Sequence, residues 1–286
     1  MEINDKPIVG FLIPFASRCT KSNWQVACAH LRQTLKSVQN SRNGNYCVVV
    51  AGHEAPDFDL EVDSRFHFLS VDQPPPARQD YPVSLKLDRL SKIAAAWNYT
   101  KSTCTPRYVM KLDADDFISS KLVDWLKNAG GEAGYLIEHG WFWRSGARHL
   151  IQCTENLDRV CGSCIIIRSD FADKNGPFRT EVEGVRLDET SSKFAASDHY
   201  SLVPGSGVST LLLNDSHQRY RAQFAYLGHK LSSVPFRAVV YRTGNPDSSS
   251  RAATTSRPRY TLRMVGGRIR RTRLITNVLR RKFLLC

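Results

Sequence analysis

At 286 residues and 42% hydrophobic, the chain holds enough apolar side chains for a substantial core and too many for a disordered protein. No run reaches the roughly 18 consecutive apolar residues that a membrane-spanning helix requires. The net charge of +13 is uneven: residues 251–286 hold eleven of the 40 Lys and Arg and no acid, which leaves 29 basic against 27 acidic side chains in residues 1–250. A body that binds nucleic acid is therefore not indicated, and no specific nucleic-acid partner is expected.

The N-terminus is acidic before its first apolar run and lacks the basic leader and cleavage site of a signal peptide, so a cytoplasmic protein is expected. "KPIVGFLIPFAS" predicts a buried strand. "SNWQVACAHLRQTLKSVQ" predicts a helix, with Trp24, Ala27, Leu31, Leu35 and Val38 at helical spacing and Ser22 as its cap. "NYCVVVAG" predicts a second strand. After the loop "QPPPARQDYP", Leu87, Leu90, Ile93 and Trp97 mark one face of another helix. "RYVMKLDADD" predicts a third strand and "SSKLVDWLKN" a short helix. This alternation predicts a parallel sheet with crossover helices, whose ligands sit beyond the carboxyl ends of the strands. Trp141 and Trp143 in "HGWFWRSG" share one face of a strand, fit either for core packing or for stacking on a sugar. The eight cysteines include one C-x-x-C, Cys161 to Cys164, with no second pair for structural zinc. It runs into "IIIR", a strand and not a helix, so free thiols are expected.

The third strand ends in Asp113, Asp115 and Asp116. Two carboxylates at i and i+2 on a strand end suit a hard divalent cation shared with substrate phosphates, Mn²⁺ or Mg²⁺. An EF-hand loop is excluded, because Phe117 and Ile118 stand where it needs an oxygen ligand and Gly. Phe117 also argues against the D-x-D-x-T/V pattern of haloacid-dehalogenase phosphatases.

"YVMKLDADDFIS" resembles the D-x-D strand of glycosyltransferases with the GT-A fold, nearest to glycosyltransferase family 2, over roughly residues 7–245. The resemblance implies a Rossmann-like, mainly parallel α/β sheet flanked by helices, and metal-dependent, inverting transfer of a sugar from a nucleotide-sugar donor, UDP-linked, to a hydroxyl of a glycan or glycolipid. It places Pro14, His53 and Glu54 at the nucleoside and basic residues Lys86, Arg89 and Lys92 near the donor. Asp113 and Asp115 hold the metal and ribose region, while Asp116 caps the next helix or supports the site. "CGSCIIIRSDF" resembles the later strand with a Gly-Ser step near the acceptor.

Transfer with inversion needs a base for the acceptor proton. The family's acid aligns near "LLLNDSHQRYRAQ", where His217 or Asp215 could serve; on a helix the two would diverge by roughly 200°. Asp198 and His199 form a second candidate pair. "YRTGN" lacks the histidine that many GT-A enzymes add to the metal, so Arg242 is expected to neutralise diphosphate instead. "TGNPDSSSRAATTSRPR" reads as a linker and sets a boundary near residue 250. Beyond it, Leu274, Ile275, Val278 and Leu279 amid arginines predict an amphipathic helix on an anionic membrane, placing the protein at the inner face. The rival class is a non-catalytic membrane- or nucleic-acid-binding protein on a GT-A-like scaffold.

Overall fold

The computed structural model describes residues 6–60, 63–76, 83–174, 212–214, 217, 219–244 and 271–285. Two sheets organise them. The larger is built on β1 (Val9–Pro14), paired in parallel with β2 (Tyr46–Gly52) on one side and β4 (Tyr108–Lys111) on the other. These strands are buried on both faces, hence their unbroken apolar runs. Phe11, Ile13, Val48, Val50 and Met110 share one core cluster, whereas Leu12, Val49, Ala51 and Val109 share another, as a period of two requires.

Each face is covered by a helix that the sequence marks. α1 (Trp24–Gln39) lays Trp24, Cys28, Leu31, Leu35 and Val38 on the first cluster. Its cap is Asn23 and not Ser22; the Asn23 side chain accepts the Val26 N–H at 3.0 Å. α2 (Val83–Thr103) lays Ile93, Ala96 and Trp97 on the second cluster.

An extra strand, β3 (Phe66–Ser70), extends the edge beyond β2, so the aspartates end the fourth strand and not the third. After β5 (Phe117–Ile118) and α3 (Leu122–Lys127) come β6 (Gly134–Leu136), β7 (Gly140–Arg144), β8 (His149–Cys153), β9 (Ile165–Arg168) and α4 (Ser169–Ala172). The chain continues through α5 (Tyr220–Tyr226), β10 (Ser232–Ser233) and β11 (Val239–Thr243). The main sheet runs β10-β6-β9-β4-β1-β2-β3, with β9 antiparallel to both of its neighbours. The second sheet ends on β12 (Thr272–Leu274) and runs β12-β8-β7-β11-β5.

The end of the chain corrects the expected boundary. β12 pairs antiparallel with β8, and α6 (Asn277–Phe283) follows. Phe283, Leu285, Ile275 and Leu279 pack with Phe117, Trp141, Trp143 and Val240. Backbone bonds from Ser120 N to Lys282 O, 3.0 Å, and Ile275 N to Arg148 O, 3.0 Å, seal it to the body. Residues 271–285 are thus part of the second sheet's core and not a detached helix; residues 251–270 lie outside the described residues. Half of the expected apolar stripe faces inward, while Leu274 and Val278 are 73% and 74% exposed. Among the described residues no helix is long and apolar enough to cross a membrane.

Candidate active site

Asp113 to Asp116 form the turn between the two sheets, leaving β4 and entering β5. The Asp116 N–H closes it on the Asp113 carbonyl at 3.1 Å. Side chains from α1 and β11 hold the exposed carbonyls: Thr34 Oγ1 donates to Ala114 O at 3.0 Å, and Arg242 Nε to Asp115 O at 3.0 Å.

Beneath the turn, Asp116 is fully buried and does not cap α3. It accepts from Ser163 Oγ at 2.7 Å, Cys161 Sγ at 3.4 Å and the Arg242 N–H at 3.1 Å. Burial, then the neighbouring charges of Asp115 and Asp113, push its carboxyl well above the usual carboxylate range. Ser163 Oγ also accepts the Asp113 N–H at 2.9 Å, so one hydroxyl links both carboxylate residues.

Asp113 pairs with Arg89 of α2, Nη2 to Oδ1 at 2.6 Å. Burial pushes the Asp113 carboxyl up, but Arg89, then Lys111 and His217, carry it below its ordinary value. Gly162 makes room for this pair. A Cβ there would stand 2.6 Å from Arg89 Nη2 and 2.7 Å from Asp113 Oδ2, closer than real contacts allow.

His217 stands in the turn ahead of α5, not on the helix. Its Nδ1 lies 2.5 Å from the Asp158 carbonyl oxygen. A carbonyl only accepts, so Nδ1 carries the proton and neutral Nε2 keeps a lone pair. Burial lowers the imidazole's pKa; the Asp158 bond opposes this, Lys111 and Arg89 lower it further, and Asp113 raises it. Asp113 is thus within electrostatic reach of His217. Asp158 is held in turn by Arg221, which also binds Glu138 at 2.6 Å. Lys111, buried on β4, lies 4.8 Å over the Tyr220 ring.

A second polar group forms where β1 and β2 end. Pro14 closes β1, and Phe15 N donates to Ala51 O at 2.8 Å. Glu54 accepts from Ser17 Oγ and the Arg18 N–H, both at 3.1 Å. His53 and Lys92 grip Asp88 at 2.7 and 2.6 Å, and Lys92 is 1% exposed. Burial lowers the Lys92 pKa and Asp88 opposes it.

The fold therefore brings two groups to the carboxyl edge of the parallel strands: Pro14, His53 and Glu54 past β1 and β2, and Asp113 with Arg89 past β4. Arg242 is corrected: the residue is 2% exposed, and its guanidinium engages Asp115 O, Ser145 Oγ at 3.0 Å and Gln33 Oε1 at 2.6 Å between the Phe117 and Trp143 rings. It clamps the aspartate turn rather than facing a diphosphate. Trp141 and Trp143 are buried core residues, which removes the sugar-stacking alternative. Asp198, His199, Asp215 and the Lys86 side chain lie outside the described residues. Asp88, Asp158 and Arg221 went unmarked in the sequence, although the i,i+4 spacing of Asp88 and Lys92 was legible there.

Carboxylate oxygens are what Mg²⁺ and Mn²⁺ prefer. Asp113 and Asp115 supply them at one turn, and among the described residues no group of three His, Cys, Asp or Glu forms a cage. The donor set fits a cation whose remaining ligands are water and a substrate's phosphates.

No protein-family model and no curated protein matches the chain. Among solved structures, S. aureus TarS 1–349 aligns at TM-score 0.45 and 10% identity, over 82% of this chain and 60% of that one. TarS 1–349 in complex with UDP-GlcNAc aligns at 0.43 and 9%, over 87% and 61%. The glycosyltransferase GlyE of Streptococcus pneumoniae TIGR4 aligns at 0.34 and 10%, over 81% and 46%. The chain thus spans less than two thirds of the length of each. A likeness of this size carries no argument about chemistry, which rests on the site's own residues.

Proposed function

We propose that the protein transfers a sugar from a nucleotide-sugar donor, UDP-linked, to a hydroxyl of a glycan or glycolipid acceptor on a GT-A scaffold. The observation that carries this reading is the pairing of a D-x-D turn at the carboxyl end of β4 with an imidazole whose tautomer the Asp158 carbonyl fixes, within electrostatic reach of the first carboxylate. The sheet order, with one reversed strand next to β4, supports it.

In this reading the nucleoside lies at the mouth of β1 and β2, against Pro14, His53 and Glu54. Asp115 and Asp113 would hold Mn²⁺ or Mg²⁺, which would supply neutralisation of the diphosphate leaving group. Arg89 keeps Asp113 ionised. His217 Nε2 accepts the acceptor hydroxyl's proton as the sugar is attacked from the opposite face, with inversion. Asp215 and Asp198 are the alternative bases. The outward face of the chain's end, with Leu274 and Val278 among Arg271, Arg273, Arg280 and Arg281, suits an anionic membrane surface, cytoplasmic and at the inner leaflet.

Calorimetry of the full chain with UDP and Mn²⁺ tests the proposal. Saturable, chelator-sensitive binding that Asp115→Ala abolishes, with an unchanged unfolding midpoint, is expected. Binding to DNA or vesicles without any to UDP would overturn it in favour of a non-catalytic binding protein.

A further inference from the structure

Seven cysteines are described as free thiols, and two of them meet. Cys47 on β2 and Cys104 after α2 place their Sγ atoms 2.8 Å apart, although 57 residues separate them. Non-bonded carbon atoms pack at roughly 3.5–4.0 Å, so these larger atoms lie inside ordinary contact.

Three elements are shaped around the pair. α2 stops at Thr103, and the Cys104 and Thr105 N–H groups both fold back on Thr100 O at 3.0 and 3.1 Å. Thr105 then takes φ +41, a left-handed value that a β-branched residue rarely holds, and Pro106 bars any continuation of the helix. This turn aims Cys104 at the sheet. From the other side, Gly10 of β1 stands in register with Cys47. A Cβ at Gly10 would lie 3.0 Å from Pro106 Cγ, 3.1 Å from Thr100 Cγ2 and 3.4 Å from Cys47 Sγ. The bare backbone leaves room for the Cys47 sulfur and for the Thr100 and Pro106 side chains that flank it. Cys47 is buried, whereas Cys104 is part-exposed.

We infer that Cys47 and Cys104 form a thiol–disulfide site whose oxidant is hydrogen peroxide and whose closed form staples the end of α2 to the sheet. The Cys104 thiolate attacks a peroxide oxygen: the S–O bond forms, the O–O bond breaks, and the leaving oxygen is protonated to water. Cys47 then gives up its proton and attacks Cys104 Sγ. The S–S bond forms, the S–O bond breaks, and a second water leaves. Two thiols lose two electrons and two protons, and hydrogen peroxide becomes two waters. The hydrogen bond from Cys47 draws the Cys104 thiol down to about 7, against burial, which favours it as the attacking partner. The staple bears on the site because α2 also carries Arg89 and Asp88.

The test is titration of the native full chain with hydrogen peroxide. The expected product has lost the mass of two hydrogens and two alkylatable thiols, gives a Cys47–Cys104 peptide on mapping, and unfolds several degrees higher until dithiothreitol reverses it. Cys104→Ser should abolish all three changes while the reduced variant keeps its fold. Retention of both thiols, oxidation of Cys104 to sulfinic acid without a link, or pairing with another cysteine would each overturn the inference. Should Cys104→Ser fail to fold, mapping of the native chain decides alone.

Discussion

His217 differs from the carboxylates around it in that its protonation state is written in a single contact. Because Nδ1 must donate to Asp158 O, protonation of Nε2 is the one change open to the ring. His217→Ala should lower turnover by about 10²–10⁴-fold and leave the donor's dissociation constant nearly unchanged, since a base acts in the transition state. Single-turnover kinetics with a binding isotherm separate the two; loss of binding with intact turnover would move the base elsewhere. A second histidine makes stability depend on pH. On α1, burial, then Arg242 and Lys21, lower His30 to about 4. The unfolded chain, with its histidine near 6.5, then binds more protons than the folded one between about pH 6.5 and 4. Stability rises with pH through that window, is fully present above it, and is lost on acidification. Chemical denaturation across pH should show this slope, and His30→Gln should flatten it.

At the scale of elements, legibility followed periodicity. α1 and α2 were readable because Leu31, Leu35, Ile93 and Trp97 repeat with the helix, and all are now buried. The aspartates were readable because three charges interrupt an apolar strand. β3 was not: "FHFLS" is a half-exposed edge with no alternation to betray it. β5 and β12 were not, because each is defined by partners more than a hundred residues away: Val239 and Val240, and Leu150 and Ile151. The arginines of the chain's end pointed to solvent, while Phe283, its deepest residue, gave no sign of its partners. Phe283→Ala should cost about 3–5 kcal/mol, seen as a lower denaturation midpoint. Leu274→Ser with Val278→Ser should leave that midpoint unchanged and weaken co-sedimentation with anionic vesicles. Unchanged co-sedimentation would remove the membrane from the proposal.

Across the whole molecule, two sheets share one short turn, and that turn carries the candidate ligands. Helix α2 and the turn leading into β9, both on the main sheet's side, supply Arg89 and Ser163; β11 of the second sheet supplies Arg242. Neither half of the site exists without the other, so the site could not be read from any one segment. Its charge is also local. Most of the chain's excess of basic residues lies beyond residue 250, whereas the site balances Asp113 and Asp158 against Arg89 and Arg221.

The bond from Ser120 N to Lys282 O ties the last helix to the residues just after β5, a strand that begins one residue after Asp116. If the last helix opens only when that strand opens, a ligand on the aspartates will guard the chain's end from solvent. With UDP and Mn²⁺ at about 100 times the dissociation constant, opening becomes about 2.7 kcal/mol harder, or roughly 100-fold rarer. Amide hydrogen exchange at Leu279 to Phe283 should slow by that factor, although these residues would touch no part of the nucleotide. An unchanged rate there would mean that the helix frays by itself, and that the distal edge keeps no record of what the cleft holds.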